Sequence, residues 1–267
     1  MPSLGATGCG IATALAYWSM IATMHLYQRR HAIYARFALF ERFERPDPAS
    51  LREILALGLP IAGSVVSEGG LFAVAALLMS TLGTEIVAAH QVAISYGSLM
   101  FMIPLSLHSA ATIHVGHQAG RGDAAAARLA GWAGIAMCAI IMALSSLVIL
   151  AARHGIAAAY TSDPEVRALA AFLLLFVAIF QIPDGLQVGA AGALRGFKDA
   201  KVPMALNFAS YWMIGFPAAW WFGIHLGAGP AGIWTGLIAG LFTCAVLLTW
   251  RYERTSRRAL AAQSSSR

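Results

Sequence analysis

Seven apolar stretches, each about as long as a bilayer's hydrocarbon core is thick, leave this chain few folds to choose from. They occupy residues 8–27, 54–82, 86–115, 129–152, 168–194, 202–223 and 231–250. Five of them contain no Asp, Glu, Lys or Arg; the second carries only Glu68 and the fifth only Asp184. A backbone in lipid must satisfy its own hydrogen bonds within the segment, which selects helices. Membrane barrels are excluded, because their strands are alternating segments of about 10 residues. Composition agrees: 59% of residues are hydrophobic and 11% are charged, too little charge to cover a soluble surface. The expected fold class is an all-α polytopic membrane protein with about seven transmembrane helices. The second, third and fifth stretches exceed the usual span of about 25 residues, so they should tilt, kink or extend past the bilayer.

The connections are short and polar, except for residues 28–53. There Phe37, Leu39, Phe40 and Phe43 are interleaved with Arg36, Arg42 and Arg45. That mixture suits either a helix lying among lipid headgroups or a plain cytoplasmic linker. Residues 260–267 end in SSSR and read as a disordered tail.

Positive charge orients the spans. With the N-terminus outside and the spans alternating, the inner segments carry six, two, three and five Lys/Arg. The outer segments carry only Arg153 and Arg167, so the division is sixteen against two of the 18 in the chain. Topology therefore accounts for the net charge of +6, and nucleic-acid binding is not expected. Residues 1–10 hold no basic residue, unlike the start of a signal peptide, and read as an interior stretch of a longer protein. The three cysteines, Cys9, Cys138 and Cys244, suggest neither a disulfide framework nor a metal site.

Glu68 and Asp184 are the residues whose chemistry points to function. A carboxylate deep in a bilayer costs a few kcal/mol on insertion scales, about 2.5–3.5 for Asp, and such residues usually face a cavity. Gly69 and Gly70 follow Glu68 and permit close approach of a ligand or backbone. Pro183 precedes Asp184 and frees a carbonyl one turn earlier, which together with the carboxylate makes a plausible cation ligand set. Gln91, Ser95, Tyr96, Gln181, Asn207 and Tyr211 are polar positions within the spans and candidates for cavity or substrate contact. Taken singly, hydrogen bonding between helices is the commoner role of such residues. No Gly-rich phosphate loop with Lys, no HExxH and no nucleophile elbow occurs, so an enzyme is not expected.

Residues 54–128 (ILALGLPIAGSVVSEGGLFAVAALLMSTLGTEIVAAHQVAISYGSLMFMIPLSLHSAATIHVGHQAGRGDAAAAR) and 180–204 (FQIPDGLQVGAAGALRGFKDAKVPM) resemble the multidrug and toxic compound extrusion (MATE) transporters of the NorM-like branch. The resemblance implies twelve spans in two six-helix lobes, of which this chain carries the C-terminal half. Residues 1–27 would then be the last span of the N-terminal lobe, 28–53 the inter-lobe linker, 54–250 the C-terminal lobe and 251–267 a basic cytoplasmic tail. The partner implied is the missing N-terminal lobe, within the lipid bilayer of a bacterial inner membrane. The implied activity is export of small organic cations or drugs by alternating access. No cofactor is implied beyond the coupling Na⁺ or H⁺. Glu68 and Asp184 match the two acids of the family's C-lobe cation site, and with sodium coupling they would be Na⁺ ligands. One departure is His114, which stands where an ATxRVG-like motif has Arg. The alternatives are a non-transporting fragment or membrane scaffold, and a lipid-linked oligosaccharide flippase, whose cavity would be rich in Arg and Lys.

Overall fold

A computed structural model describes residues 5–31, 34 and 47–265, and every regular element among them is helical. The helices are α1 (Gly5–Arg30), α2 (Pro48–Ser80), α3 (Thr84–Gly120), α4 (Ala124–Tyr160), α5 (Pro164–Gly196), α6 (Lys201–Phe208), α7 (Phe216–Trp220) and α8 (Gly229–Ser265). Two π-helical segments, Ala209–Gly215 and Trp221–His225, flank α7. The chain forms two compact units, Met1–Arg52 and Glu53–Arg267. The described part of the first is mainly α1; Arg36, Phe37, Leu39, Phe40, Arg42, Phe43 and Arg45 of the linker lie outside the described residues. All that follows concerns the second unit.

Among the described residues, five helices are long and apolar enough to cross a membrane: α2, α3, α4, α5 and α8. Their ends are set by recognisable local chemistry. Asp163 accepts from the backbone N–H of Glu165 and Val166 at 2.9 and 3.2 Å, and Pro164 follows it at the first helical position. Asp123 caps α4 in the same way through Ala126 N–H. Pro60, Pro104 and Pro183 lie inside helices that run on through them.

The sixth apolar stretch folds less regularly than its sequence suggests. From Lys201 to His225 it is helical throughout but passes α6, π, α7, π. At the first junction the N–H of Phe216 bonds Tyr211 O, five residues back. Pro217, which has no N–H to give, follows immediately at the start of α7. The widened turn ahead of it is the kind of insertion often found beside functional sites.

Two helices form the centre of this unit. About half of the apolar window is buried in α5 (50%) and α8 (56%), against 22–28% in α2, α3 and α4. Helices α3 and α5 lie side by side in parallel register. Thr112 Oγ1 donates to Gly192 O at 2.9 Å, and His108 Nδ1 lies 2.8 Å from Val188 O. Gly192 is required there, since a Cβ would fall 2.7 Å from His108 O. Helix α2 behaves differently: it makes few close backbone approaches to any neighbour. Large side chains hold it instead. Trp212 Nε1 donates to Ser67 Oγ at 3.0 Å, and Phe72 meets Phe180 edge to face. A helix held off by side chains leaves a gap, and that gap becomes the cavity.

The C-terminal tail departs from the disordered end that its composition suggests. Helix α8 continues to Ser265 and is tied down along its length beyond the apolar stretch. Glu253 pairs with Arg128, Arg251 pairs with Asp199, and Gln263 Oε1 accepts from Ala124 N–H. These partners come from α4 and from the connection between α5 and α6, so local composition could not reveal them.

Candidate functional site

A cavity of about 510 Å³ opens between α2, α3, α5, α6 and α8. Its size is that of a small-molecule site. Glu68 enters it from α2, three residues after Val65, which also lines it, and one residue after Ser67, which anchors Trp212. Asp184 enters from α5, buried to 4% exposure, one residue after the helix-interior proline. The two carboxylates thus share one chamber and lie near enough to act on each other electrostatically. Among the described residues no hydrogen bond or ion pair reaches either of them, so both keep their oxygens for a ligand. The walls are apolar and aromatic: Phe72, Phe101, Phe180 and Trp234 surround the acids. Phe180 and Trp234 meet edge to face at 6.0 Å. Aromatic faces beside paired carboxylates make a chemically sound receptor for a cation, organic or inorganic.

The remaining polar candidates divide. Asn207 lines the cavity, buried, and its Oδ1 accepts from Cys244 Sγ at 3.0 Å. Tyr211 does not line it but stands behind it, fully buried, and its hydroxyl accepts from Gln187 Nε2 at 2.7 Å. Gln187 itself is a lining residue that sequence reasoning missed, although it stands three residues from Asp184 and therefore on a neighbouring face. Gln181 is buried away from the lining, and neither of its amide atoms has a partner among the described residues. Tyr96 is buried outside the lining. Gln91 is exposed and donates only to Ser95 on its own helix, at 3.3 Å. The structure therefore gathers Glu68, Asp184 and Asn207, and leaves Gln91, Ser95, Tyr96, Gln181 and Tyr211 outside the chamber wall.

Two further lining residues change the electrostatics. Arg195 is half-buried in the cavity wall, where sequence alone places it in a polar connection. The expectation of spans without a basic partner for the acids is corrected by this one residue. Its charge is close enough to act on Glu68. His108 also lines the chamber. Its Nδ1 faces a carbonyl, which can only accept, so Nδ1 carries the hydrogen and Nε2 is left as the second ring nitrogen.

A family model described as MatE matches residues 60–221. The probable multidrug resistance protein NorM of Xanthomonas axonopodis pv. citri (strain 306) is 47% identical over 257 residues, covering 96% of this chain and 56% of that protein. The multidrug resistance protein PmpM of Pseudomonas aeruginosa is 42% identical over 262 residues, covering 97% and 55%. The chain spans about half the length of these curated relatives. Among solved structures, the eukaryotic MATE transporter AtDTX14 superimposes with a TM-score of 0.85 at 22% identity, covering 97% of this chain and 59% of that one. At that identity the likeness establishes the fold.

Proposed function

Because the chain belongs to the MatE family of multidrug and toxic compound extrusion transporters, we propose that it is the C-terminal half of a cation-coupled antiporter that exports organic cations. The observation that carries this reading is one chamber holding two carboxylates, from α2 and α5, among aromatic walls, with no direct ion pair to either among the described residues. Such a chamber binds a cation, either a coupling Na⁺ or H⁺ or a cationic drug, and the two compete because they need the same oxygens. Competition for one site is the simplest way to couple outward drug movement to inward ion movement. Helix α2 supplies one of the acids yet touches the bundle mainly through side chains, so its contribution to the site can change with modest repacking.

The resemblance supplies the rest of the proposal. Alternating access requires this unit to move against a second lobe, in the lipid bilayer of a bacterial inner membrane. In cells lacking their own pumps, the chain is joined in frame behind the first half of a bacterial relative, and dye retention is followed. Efflux of a cationic dye that stops when ion gradients are collapsed is the expected result. Dye retention equal to that of empty cells would remove the transport reading in favour of a scaffold. A flippase is disfavoured by the chamber itself, where Arg195 is the lone Lys or Arg against two acids.

The proposed orientation places the N-terminus outside and the C-terminus in the cytoplasm, from the sixteen-to-two division of Lys and Arg. Green fluorescent protein fused after Arg267 should fluoresce, and alkaline phosphatase fused there should be inactive. The opposite pair of outcomes would invert the assignment.

A further inference from the structure

We propose that Arg195 is an anion-accepting subsite of the chamber, so that the site takes amphoteric ligands, with a cationic amine at Glu68 and Asp184 and a carboxylate at Arg195. The proposal rests on the cation-site reading above and adds the group that would choose among ligands. Four observations carry it.

First, Arg195 is the only Lys or Arg among the lining residues, and among the described residues it forms no ion pair. Three other basic residues at the polar ends of these helices do: Lys198 with Glu53 and Arg251 with Asp199, both at 2.8 Å, and Arg128 with Glu253. A half-buried guanidinium in a cavity wall, with no carboxylate paired to it, is available to an anion from outside the chain.

Second, helix geometry sets the spacing. Asp184, Val188, Ala191 and Arg195 follow one another on one face of α5, and all four line the chamber. Arg195 stands three turns beyond Asp184, about 16 Å along the axis. Side chains of a helix lean toward its N-terminus, so the guanidinium leans back toward the acid. It still makes no direct ion pair with Asp184 or Glu68. The opposite charges are thus held apart across a chamber, and a ligand with matching poles fits between them.

Third, the wall between the poles is apolar on α5, where Val188 and Ala191 sit, and Phe101 and Leu105 of α3 also line the chamber. A rigid aromatic body suits that surface. Fourth, His108 does not duplicate the role of Arg195. With its Nδ1–H given to Val188 O, the ring has only Nε2 left for a ligand, so a two-point contact with a carboxylate is left to the guanidinium.

The test uses two fluorescent probes that differ by one methyl group. One is a diaminoxanthylium dye with a free benzoate, which is amphoteric; the other is its methyl ester, which is purely cationic. Equilibrium binding of each is measured on the full chain in phosphatidylcholine nanodiscs. Arg195→Gln should weaken the benzoate dye about tenfold, the usual scale for losing a charged hydrogen bond, and leave the ester within about twofold. Arg195→Lys, which keeps the charge but not the fork, should fall between. The ratio of the two dissociation constants within one preparation does not depend on how much of a variant is folded. An unchanged ratio in both variants overturns the proposal. Glu68→Gln and Asp184→Asn should weaken both dyes together. If the ester ignores those two substitutions while Arg195→Gln still discriminates, the cation-site reading fails and the amine end of this proposal fails with it, whereas the anion subsite stands. No binding of either dye to the wild type overturns both.

Discussion

Glu68→Gln and Asp184→Asn are each expected to abolish ion-driven drug efflux, and the double variant to be no worse than either single one. Each substitution removes a formal charge while keeping nearly the same shape and volume. The chamber that remains holds one carboxylate facing Arg195, so its net charge is no longer negative. Losing a charged ligand of a bound cation costs about 1.5–3 kcal/mol, roughly tenfold to a hundredfold in affinity. Because coupling needs both the ion and the drug to use the site, that loss enters twice, and transport drops below detection. The two acids act as a unit, and residues that act as a unit are strongly non-additive. The measurement is dye efflux from membrane vesicles carrying the chain joined to a first half. A sodium gradient at constant pH and a pH gradient without sodium are imposed separately. The wild type should respond to one or both, and the variants to neither. Full coupling in either variant would show that the shared chamber is not the coupling site, even within this family.

Much of this architecture is readable from the order of residues, because a bilayer imposes one rule on every span. Apolar stretches of 20 or more residues with at most one charge have to be helices, and α2, α3, α4, α5 and α8 lie where five of those stretches are. Glu68 and Asp184 stand out for the same reason, as the two formal charges within the stretches. What the pattern does not encode is which way a side chain faces. Gln181, Tyr211 and Asn207 look alike in sequence, yet only Asn207 reaches the chamber. A polar residue in an apolar span is buried against something, and the partner is decided by helix packing, which is non-local. Arg195 was obscured differently. It ends an apolar run, so it reads as a positively charged connection. Counting helical turns from Asp184 through Val188 and Ala191 places it on the same face, and that count needs no structure. The π segments and the tethered C-terminal end depend on partners distant in sequence, such as Arg128 with Glu253.

Gly236→Ala is expected to be the most destabilising single methyl that can be added to the central pair of helices. Gly232, Gly236 and Gly240 form one ridge of α8, four residues apart, and all three meet backbone atoms of α7 or of the π segments on either side of it. A Cβ at Gly236 would lie 2.1 Å from Ala219 N and 2.3 Å from its Cα. Those atoms are main chain, so no rotamer change relieves the clash, and the two helices must separate. Small residues at such a crossing are what permit close packing in lipid, where no hydrophobic force pulls helices together. Overpacking of this kind costs about 1–3 kcal/mol and occasionally more, and a clash with rigid backbone belongs at the upper end. Separation would also disturb the site. Trp234 and Leu237 flank Gly236 in the buried core, and Trp234 is part of the chamber wall. The control is Gly58→Ala, where nothing lies within 4 Å of the added methyl. Thermal unfolding in nanodiscs should show a clear fall in midpoint for Gly236→Ala, while Gly58→Ala stays within about 0.5 kcal/mol of the wild type. Equal midpoints for both variants would mean that the α8 crossing is looser than this close backbone approach requires.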